Sequence, residues 1–195
     1  FHIYGSISHV VEFIKGMLPK QTVEVISRSG WHTTLQKKSV YAYPNGMIIG
    51  DTDGNKIVFQ PISSSPIFDA YHSSGELSDW QREVHVPLKN SPIPVFAQSA
   101  SISGILLRKL CLPGFAADIN GTSTVGKTMA LQAGVSTYAN AEDPATANGE
   151  SCIQGLNTTD NAFEHLAAHS NDGVLGIDET GRSSIKDMDS FLYGF

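Results

Sequence analysis

The spacing of apolar and polar positions divides this chain into a β-rich first part and a helix-rich second part. Helical spacing of apolar side chains over residues 8–18 predicts a first helix that ends at Pro19. Short β-like runs follow, at residues 22–27, 40–43, 47–49 and 56–60. The tripeptide Pro44-Asn45-Gly46 between two of these runs predicts a hairpin turn. Residues 63–74 are rich in Ser and Pro, which is typical of a linker.

The second part of the chain combines helical patterns with short apolar runs typical of buried strands. Helical spacing recurs at residues 76–82, 95–112, 127–139, 162–167 and 184–193. The pattern at residues 95–112 is apolar on nearly all sides, so we expect that helix to be buried. Apolar runs at residues 115–119 and 174–177 predict two strands. Strands that alternate with helices favour an α/β fold with a parallel sheet.

A complete phosphate-binding loop lies between the candidate strand at residues 115–119 and the helical run that follows. Residues 121–128 read Gly-Thr-Ser-Thr-Val-Gly-Lys-Thr, which matches the pattern G-x-x-x-x-G-K-S/T (Walker A). Its glycines allow the backbone N–H groups to surround a phosphate, at the positive end of the next helix. The residues predicted to bind ATP are Gly121, Thr122, Ser123, Thr124, Val125, Gly126, Lys127, Thr128 and Met129.

Two acidic residues complete the predicted site about 50 residues further along the chain. The apolar run at residues 174–177 ends in Asp178 and Glu179, as a Walker B strand does. We expect Thr128 and Asp178 to hold Mg²⁺, Lys127 to contact the β- and γ-phosphates, and Glu179 to activate the attacking water. Lys127 and Glu179 are therefore the predicted catalytic residues. A water-activating glutamate favours an ATP-hydrolysing motor over a small-molecule kinase. Gly176 is unusual inside a strand, and we expect it either to permit close packing against the phosphate loop or to have no role.

Composition and charge limit the classes of protein that fit this chain. The formal net charge of −6 argues against a free-standing nucleic-acid-binding domain, although a few basic loops could still line a pore. The apolar stretch at residues 102–112 contains Arg108 and Lys109 and is too short to cross a bilayer. The two cysteines lack metal-ligand spacing, so we expect reduced thiols in a cytoplasmic protein. Because the chain begins at Phe1 rather than Met, we expect it to be a fragment.

Several segments, in order along the chain, resemble a predicted ATPase domain of primase–helicase proteins from phages and other mobile elements. This family has been described as "superfamily II helicase and inactivated derivatives". The matching segments lie at residues 29–32, 45–46, 57–60, 75–80, 94–97, 121–128, 167–173 and 178–179. The resemblance therefore extends over roughly residues 20–195.

The resemblance implies an AAA+ ATPase similar to the MCM-type replicative helicases. Such a protein would assemble into a hexameric ring, hydrolyse ATP between subunits and pull single-stranded DNA through the pore, without a membrane. Met129 departs from the family, which usually has a second Thr there. The sensor and arginine-finger residues of such ATPases lie beyond the position of Phe195, so we expect the fragment alone to be inactive. The alternative is an ATP-binding assembly factor, or an inactivated helicase derivative that does not translocate.

The predicted organisation is a small β-rich N-terminal subdomain followed by a P-loop core of the AAA+ type that is truncated at its C-terminus. The first region, residues 1–74, contains the helix, the β-rich subdomain and the linker. The second region, residues 75–195, contains Walker A at residues 121–128 and Walker B at residues 174–179. We expect its parallel sheet to place the phosphate loop directly after the first strand.

Other chemically interesting residues have plainer interpretations. Trp31 and Trp80 could stack on a base, but packing is the more common role of a single tryptophan. His165 and His169 have metal-ligand spacing without an evident third ligand, and we expect His169 to make a structural contact near the Walker B strand. The basic pairs are expected on a solvated face; they are Lys37-Lys38 and Arg108-Lys109.

Overall fold

The computed structural model shows a mixed α/β protein with small parallel and antiparallel sheets. It describes residues 7–17, 23–61, 65–122, 125–144, 146–147, 150–155 and 166–178. The expectation of a mixed α/β fold is thus confirmed. The predicted helix at residues 184–193 lies outside the described residues.

The helices follow the predicted apolar spacing in most places. They are α1 (Ile7–Gly16), α2 (Leu77–Trp80), α3 (Val86–Leu88), α4 (Pro92–Lys109) and α5 (Lys127–Val135). A π-helical turn at Gln81–His85 joins α2 to α3, and residues 166–169 are also helical. Pro92 is in the first turn of α4, where its missing N–H removes no helical hydrogen bond.

Two small sheets form the N-terminal part. In one, β1 (Glu24–Ile26) pairs in parallel with β5 (Ile57–Phe59). In the other, β3 (Ser39–Ala42) lies between β2 (Gly30–Thr33) and β4 (Ile48–Gly50), with both pairs antiparallel. The predicted hairpin turn is confirmed, because the Gly46 N–H donates to the Tyr43 carbonyl over 2.9 Å. Gly46 has a φ of 90°, a left-handed conformation that favours glycine.

The third sheet contains the predicted Walker B strand. Strand β7 (Gly176–Asp178) pairs in parallel with β6 (Ile153–Gly155), which the sequence pattern did not predict. Ile153 is fully buried beside Cys152, so β6 is a short core strand without alternation. Its three residues are too few for periodicity to reveal a strand.

The prediction of a strand at residues 115–119 is wrong. These residues have no regular secondary structure, and the Phe115 side chain is 55% exposed. A strand requires a partner for its backbone groups, and β6 and β7 pair with each other instead. The phosphate-loop motif therefore follows a mostly exposed segment without regular structure rather than a paired strand.

The Ser- and Pro-rich segment is also different from the exposed linker that its composition predicts. Pro66–Ala70 forms a 3₁₀ helix, and its Ile67 and Ala70 are buried with Tyr71. These side chains share a core with Val135 of α5 and Ile153 of β6. A few apolar residues within a polar stretch were enough to bring this segment into the core.

Helix α4 is less buried than its apolar composition predicts. Among its residues only Ala97, Gln98 and Ser101 are buried, and Phe96 is 53% exposed. Small side chains form the packed face because α5 approaches closely there. A Cβ on Gly134 would lie 3.0 Å from the Ala97 carbonyl oxygen. The large apolar residues of α4 therefore do not mark the face of the helix that is buried.

Candidate functional site

The phosphate-loop residues lead directly into helix α5, as the sequence predicts. Gly126 caps the helix at φ 84° and ψ 23°, a left-handed conformation that a side chain would strain. Lys127 is the first helical residue, so the positive end of the helix lies beside the loop. The first amides of a helix have no partner within it, which makes this end suitable for a phosphate.

The Lys127 side chain folds back over its own loop. Its Nζ donates to the backbone carbonyls of Gly121 and Thr122, each over 2.8 Å. These two carbonyls hold the ammonium group next to the loop backbone rather than in open solvent. A phosphate bound by the loop amides would therefore lie within reach of the Lys127 charge.

A hydrogen bond joins the two motifs, which are far apart in the sequence. Thr128 Oγ1 donates to Asp178 Oδ2 over 3.2 Å. The hydroxyl comes from the first turn of α5, and the carboxylate comes from the end of β7. A threonine hydroxyl and an aspartate carboxylate at this separation are both oxygen ligands of the kind that Mg²⁺ prefers. The structure thus brings together the two residues that the sequence predicts as metal ligands.

Gly176 permits the close packing of β7 on α5 that brings Asp178 to Thr128. A Cβ on Gly176 would lie 2.6 Å from Val135 Cγ2 and 3.4 Å from Ile153 Cγ1. The first distance is shorter than any normal carbon contact, so a larger residue would push the strand away from the helix. Among the described residues, the nearest atoms belong to Val135, Ile153 and Leu131, so Gly176 packs closely against α5 and β6 rather than against the phosphate loop as expected.

Several predicted residues lie elsewhere or outside the described part of the chain. Ser123 and Thr124 of the loop, and Glu179, are outside the described residues. Val125 and Met129 are exposed beside the loop, at 56% and 64%. Within the described ranges, no cluster of three or more His, Cys, Asp or Glu residues could hold a metal ion. The predicted magnesium site therefore consists of one carboxylate and one hydroxyl from this part of the chain.

An open groove of about 370 Å³ lies away from the phosphate loop. It is lined by Pro44, Asn45, Gly46, Phe59, Pro61, Phe68, Asp69, Tyr71 and His72. The groove thus belongs to the hairpin turn, β5 and the 3₁₀ helix, and no residue of the phosphate loop lines it.

The two tryptophans are structural. Trp31 Nε1 donates to the Ile105 carbonyl over 2.7 Å, and its ring packs edge-on against Tyr41. Trp80 Nε1 donates to Ser136 Oγ over 3.0 Å. Since both indole N–H groups bond within the protein, the packing interpretation is favoured over base stacking.

The basic pairs lie at the surface, as expected, with Lys37, Arg108 and Lys109 exposed and Lys38 partly exposed. Arg108 Nη1 forms an ion pair with Asp172 Oδ2 at 3.0 Å, and Lys109 Nζ lies 3.9 Å from the centre of the Trp31 ring. Lys38 pairs with Asp51 at 2.7 Å. Such surface contacts are compatible with the expected solvated face.

His169 makes the structural contact that the sequence predicts. Its ring packs edge-on against Phe68, with the ring centres 4.7 Å apart. The other histidine of the spaced pair, His165, lies outside the described residues.

The chain belongs to a protein family described as "Domain of unknown function (DUF927)", whose family model matches residues 2–195. No curated protein and no solved structure matches the chain at a significant level. Over the described residues, no helix is long and apolar enough to cross a membrane.

Proposed function

We propose that this protein is an ATP-hydrolysing P-loop ATPase that binds Mg²⁺ and ATP at residues 121–128. The hydrogen bond of 3.2 Å between Thr128 and Asp178 carries the proposal. Residues 50 positions apart in the chain meet there, and they are the pair that binds Mg²⁺ in P-loop NTPases. The adjacent Lys127 ammonium group supports the same function.

The residues at this site suit both proposed ligands. Thr128 Oγ1 and Asp178 Oδ2 are hard oxygen donors, and Mg²⁺ commonly takes one or two protein oxygens together with waters and phosphate oxygens. The carbonyls that hold Lys127 are weak acceptors compared with a phosphate oxygen, so the ammonium group can exchange them for a phosphate. Bound ATP would supply the phosphoanhydride bond and Mg²⁺ would supply positive charge.

Each residue of the proposed site has a separate role. Lys127 and the loop amides bind and orient the phosphates, while Thr128 and Asp178 hold the metal, Asp178 through a water. Glu179 follows Asp178 in the sequence and would accept the proton of the attacking water. Catalysis of this kind depends mainly on positioning and charge, so small displacements of these groups should reduce the rate strongly.

The proposed biological role is that of a DNA helicase motor in the replication of a phage or mobile element. The sequence resemblance to the AAA+ domains of primase–helicase proteins supports this role. By the same resemblance, the motor would be a hexamer acting on single-stranded DNA. A cytoplasmic location would accompany such a role.

An ATP-binding assembly factor that does not translocate is the alternative. It needs no surface that contacts DNA, and Arg108, Lys38 and Lys109 each have a partner within the protein. A motor requires basic or aromatic groups that are free to contact DNA. ATP turnover with and without single-stranded DNA, measured on a protein that includes the sensor and arginine-finger residues, separates the two roles, since only the motor is expected to be stimulated.

Calorimetric titration with ATP in the presence of Mg²⁺ tests the proposed site. We expect Lys127→Ala to weaken ATP binding about 10- to 100-fold, the equivalent of roughly 1.5–3 kcal/mol for one charge-assisted hydrogen bond. Lys89→Ala, which removes an exposed lysine between α3 and α4, is the matched control and should bind like the unmodified protein. Equal ATP affinity in all three proteins, or no binding to any of them, would contradict the proposal.

A further inference from the structure

The segment that leads into β7 is fixed by a network of hydrogen bonds centred on Asp172. Its carboxylate Oδ2 accepts from the Trp31 backbone N–H at 2.9 Å and from Arg108 Nη1 at 3.0 Å. Asn171 Nδ2 is 3.3 Å from the same oxygen. The network consists of Ser29, Gly30, Trp31, Tyr41, Arg108, Asn171 and Asp172, and is called the Asp172 junction below.

Backbone groups join the same network. Tyr41 Oη donates to the Asp172 carbonyl over 2.9 Å, and Asn171 Nδ2 donates to the Ser29 carbonyl over 2.9 Å. Burial raises the pKa of Tyr41 well above its usual value, so its hydroxyl remains a donor at any ordinary pH. Strands β2 and β3 are thereby connected to the loop before β7.

Asp172 is held in a backbone conformation that aspartate rarely adopts. Its φ is 52°, and its side chain is only 13% exposed. A non-glycine residue persists in the left-handed region when the surrounding contacts determine it strongly. The junction therefore imposes one conformation on the chain six residues before the proposed metal ligand Asp178.

Glycines at two contacts allow the elements of the junction to approach closely. A Cβ on Gly30 would lie 2.6 Å from Asp172 Oδ2, and a Cβ on Gly104 would lie 2.5 Å from the Gly173 carbonyl oxygen. Neither approach is possible for a residue with a side chain unless the partner moves. Gly104 is on α4, so this helix contacts the segment before β7 directly.

Helix α4 connects both halves of the proposed site. At its C-terminal part, Gly104 and Arg108 contact residues 172–173, which lead into β7. At its N-terminal part, Ala97 and Ser101 contact Gly134 of α5, the helix that begins at Lys127 and Thr128. Helix α4 therefore contributes to the relative position of Thr128 and Asp178, in addition to the direct packing of β7 on α5.

We propose that Asp172 is a positioning residue for the magnesium site, acting through β7 to keep the Asp178 carboxylate beside the Thr128 hydroxyl. The inference rests on the proposed function, since it assigns a role to residues that touch neither nucleotide nor metal. It predicts that damage to the junction removes the contribution of Mg²⁺ to ATP binding. The phosphate loop should still bind the phosphates, because it leads directly into α5, of which Lys127 is the first residue, and does not pass through β7.

ATP affinity is measured by titration, once in Mg²⁺ and once in EDTA. The ratio of these two affinities gives the contribution of Mg²⁺ to ATP binding. We expect Asp172→Asn and Gly30→Ala to reduce the ratio about tenfold, as the loss of residues that orient metal ligands commonly does, and to leave the affinity in EDTA unchanged. A purely structural role would lower both affinities together through loss of folded protein. Arg108→Gln is a milder variant at the exposed side of the junction and should give a smaller change in the same direction.

Matched controls exist for two of these variants. Gly54→Ala introduces a side chain at a similarly left-handed glycine, φ 74°, where no atom lies within 4 Å. Arg82→Gln removes an arginine whose ion pair with Asp79, at 2.7 Å, is on another helix. Both control variants should have the same ratio of ATP affinity in Mg²⁺ to ATP affinity in EDTA as the unmodified protein.

The possible results separate this inference from the proposed function. A large Mg²⁺ effect in the unmodified protein that is reduced in the junction variants supports the inference. A large effect that survives in folded Asp172→Asn, Gly30→Ala and Arg108→Gln proteins overturns the inference and leaves the proposed ATPase intact. Absence of any Mg²⁺ effect in the unmodified protein overturns both.

Discussion

The Asp172 junction and the phosphate loop are held in opposite ways, although α4, α5 and β7 connect them. At the junction, a mostly buried carboxylate accepts hydrogen bonds from separate parts of the chain, including β2 and α4. At the loop, Lys127 bonds to carbonyls only five and six residues away, and its neighbours are exposed. The hydrogen-bonding groups of the junction are paired within the protein. The polar groups of the loop lie at the surface, where a ligand could replace their present partners.

This contrast indicates that the two regions have different roles in the proposed site. In the proposed site, the buried contacts would set the position of β7 relative to α5, and the exposed groups would bind the ligand. Variants at the junction should therefore change stability and geometry, and variants at the loop should change ligand binding with little change in stability. The three predictions below test that difference in roles, from the largest expected effect to the smallest.

Gly104→Ala should show the greatest loss of stability. Alanine favours a helix by about 1 kcal/mol over glycine, but overpacking costs about 1–3 kcal/mol. Because the new Cβ would lie 2.5 Å from a backbone carbonyl, which cannot rotate away, we expect an overpacking cost of about 2–3 kcal/mol and hence a net loss of about 1–2 kcal/mol. Urea denaturation measures the change.

Gly16→Ala is the control for that substitution, since it lies in α1 with no atom within 4 Å of the new Cβ. It should not destabilise the protein. If Gly104→Ala were as stable as the unmodified protein, the close approach of α4 to Gly173 would be wrong.

Gly176→Ala should have an intermediate effect on stability. Gly176 is on β7, between the Asp172 junction and the loop. The new Cβ would meet Val135 Cγ2 at 2.6 Å, and a side chain can move further than a backbone carbonyl. We expect a loss of about 1 kcal/mol in the free energy of unfolding, together with weaker Mg²⁺-dependent ATP binding. Denaturation and calorimetry measure the two effects.

A second substitution provides an internal check on that prediction. Val135→Ala removes the atom that the new Cβ would meet, so the double variant should recover Mg²⁺-dependent binding relative to Gly176→Ala alone. Failure to recover would show that Gly176 acts by a route other than its contact with α5.

Raising the pH should produce the smallest of the three changes in stability. Burial raises the pKa of the Cys152 thiol to about 12 from an ordinary value of 9.0. The folded protein keeps this proton while the unfolded chain loses it, so stability is complete below pH 9 and falls as the pH rises toward 12. We expect a loss of roughly 0.5–1 kcal/mol between pH 8 and pH 9.5.

Burial also raises the pKa of Tyr71, which adds to the decline at higher pH. In Cys152→Ala the part of the decline due to the thiol should disappear. Cys111 is exposed, so Cys111→Ala is the control and should retain the full decline. A pH dependence that is identical in both variants would contradict the burial of Cys152.

The sequence predicted the parts of the site that depend on local pattern. The loop, the start of α5 at Lys127 and the strand that ends at Asp178 each follow from residues close together in the chain. The hairpin at Gly46 was predictable for the same reason, because a left-handed glycine defines the turn locally. The P-loop core as a whole remains a proposal.

The features that sequence pattern missed depend on contacts between distant residues. Strand β6 is too short to show periodicity, and the Ser- and Pro-rich segment is buried because of partners such as Val135 and Ile153. Residues 115–119 are apolar but lack a pairing strand. The hydrogen bonds of Asp172 were also hidden, since their donors come from residues 31 and 108.

A double-mutant cycle on Thr128 and Asp178 is the most direct measurement of the central claim. It compares the Mg²⁺-dependent gain in ATP affinity for the unmodified protein, Thr128→Val, Asp178→Asn and the double variant. We expect each single substitution to remove most of the gain and the double variant to lose little more, because both oxygens serve one metal ion. Independent, additive losses, or a gain that neither substitution reduces, would contradict a magnesium site formed by these two residues.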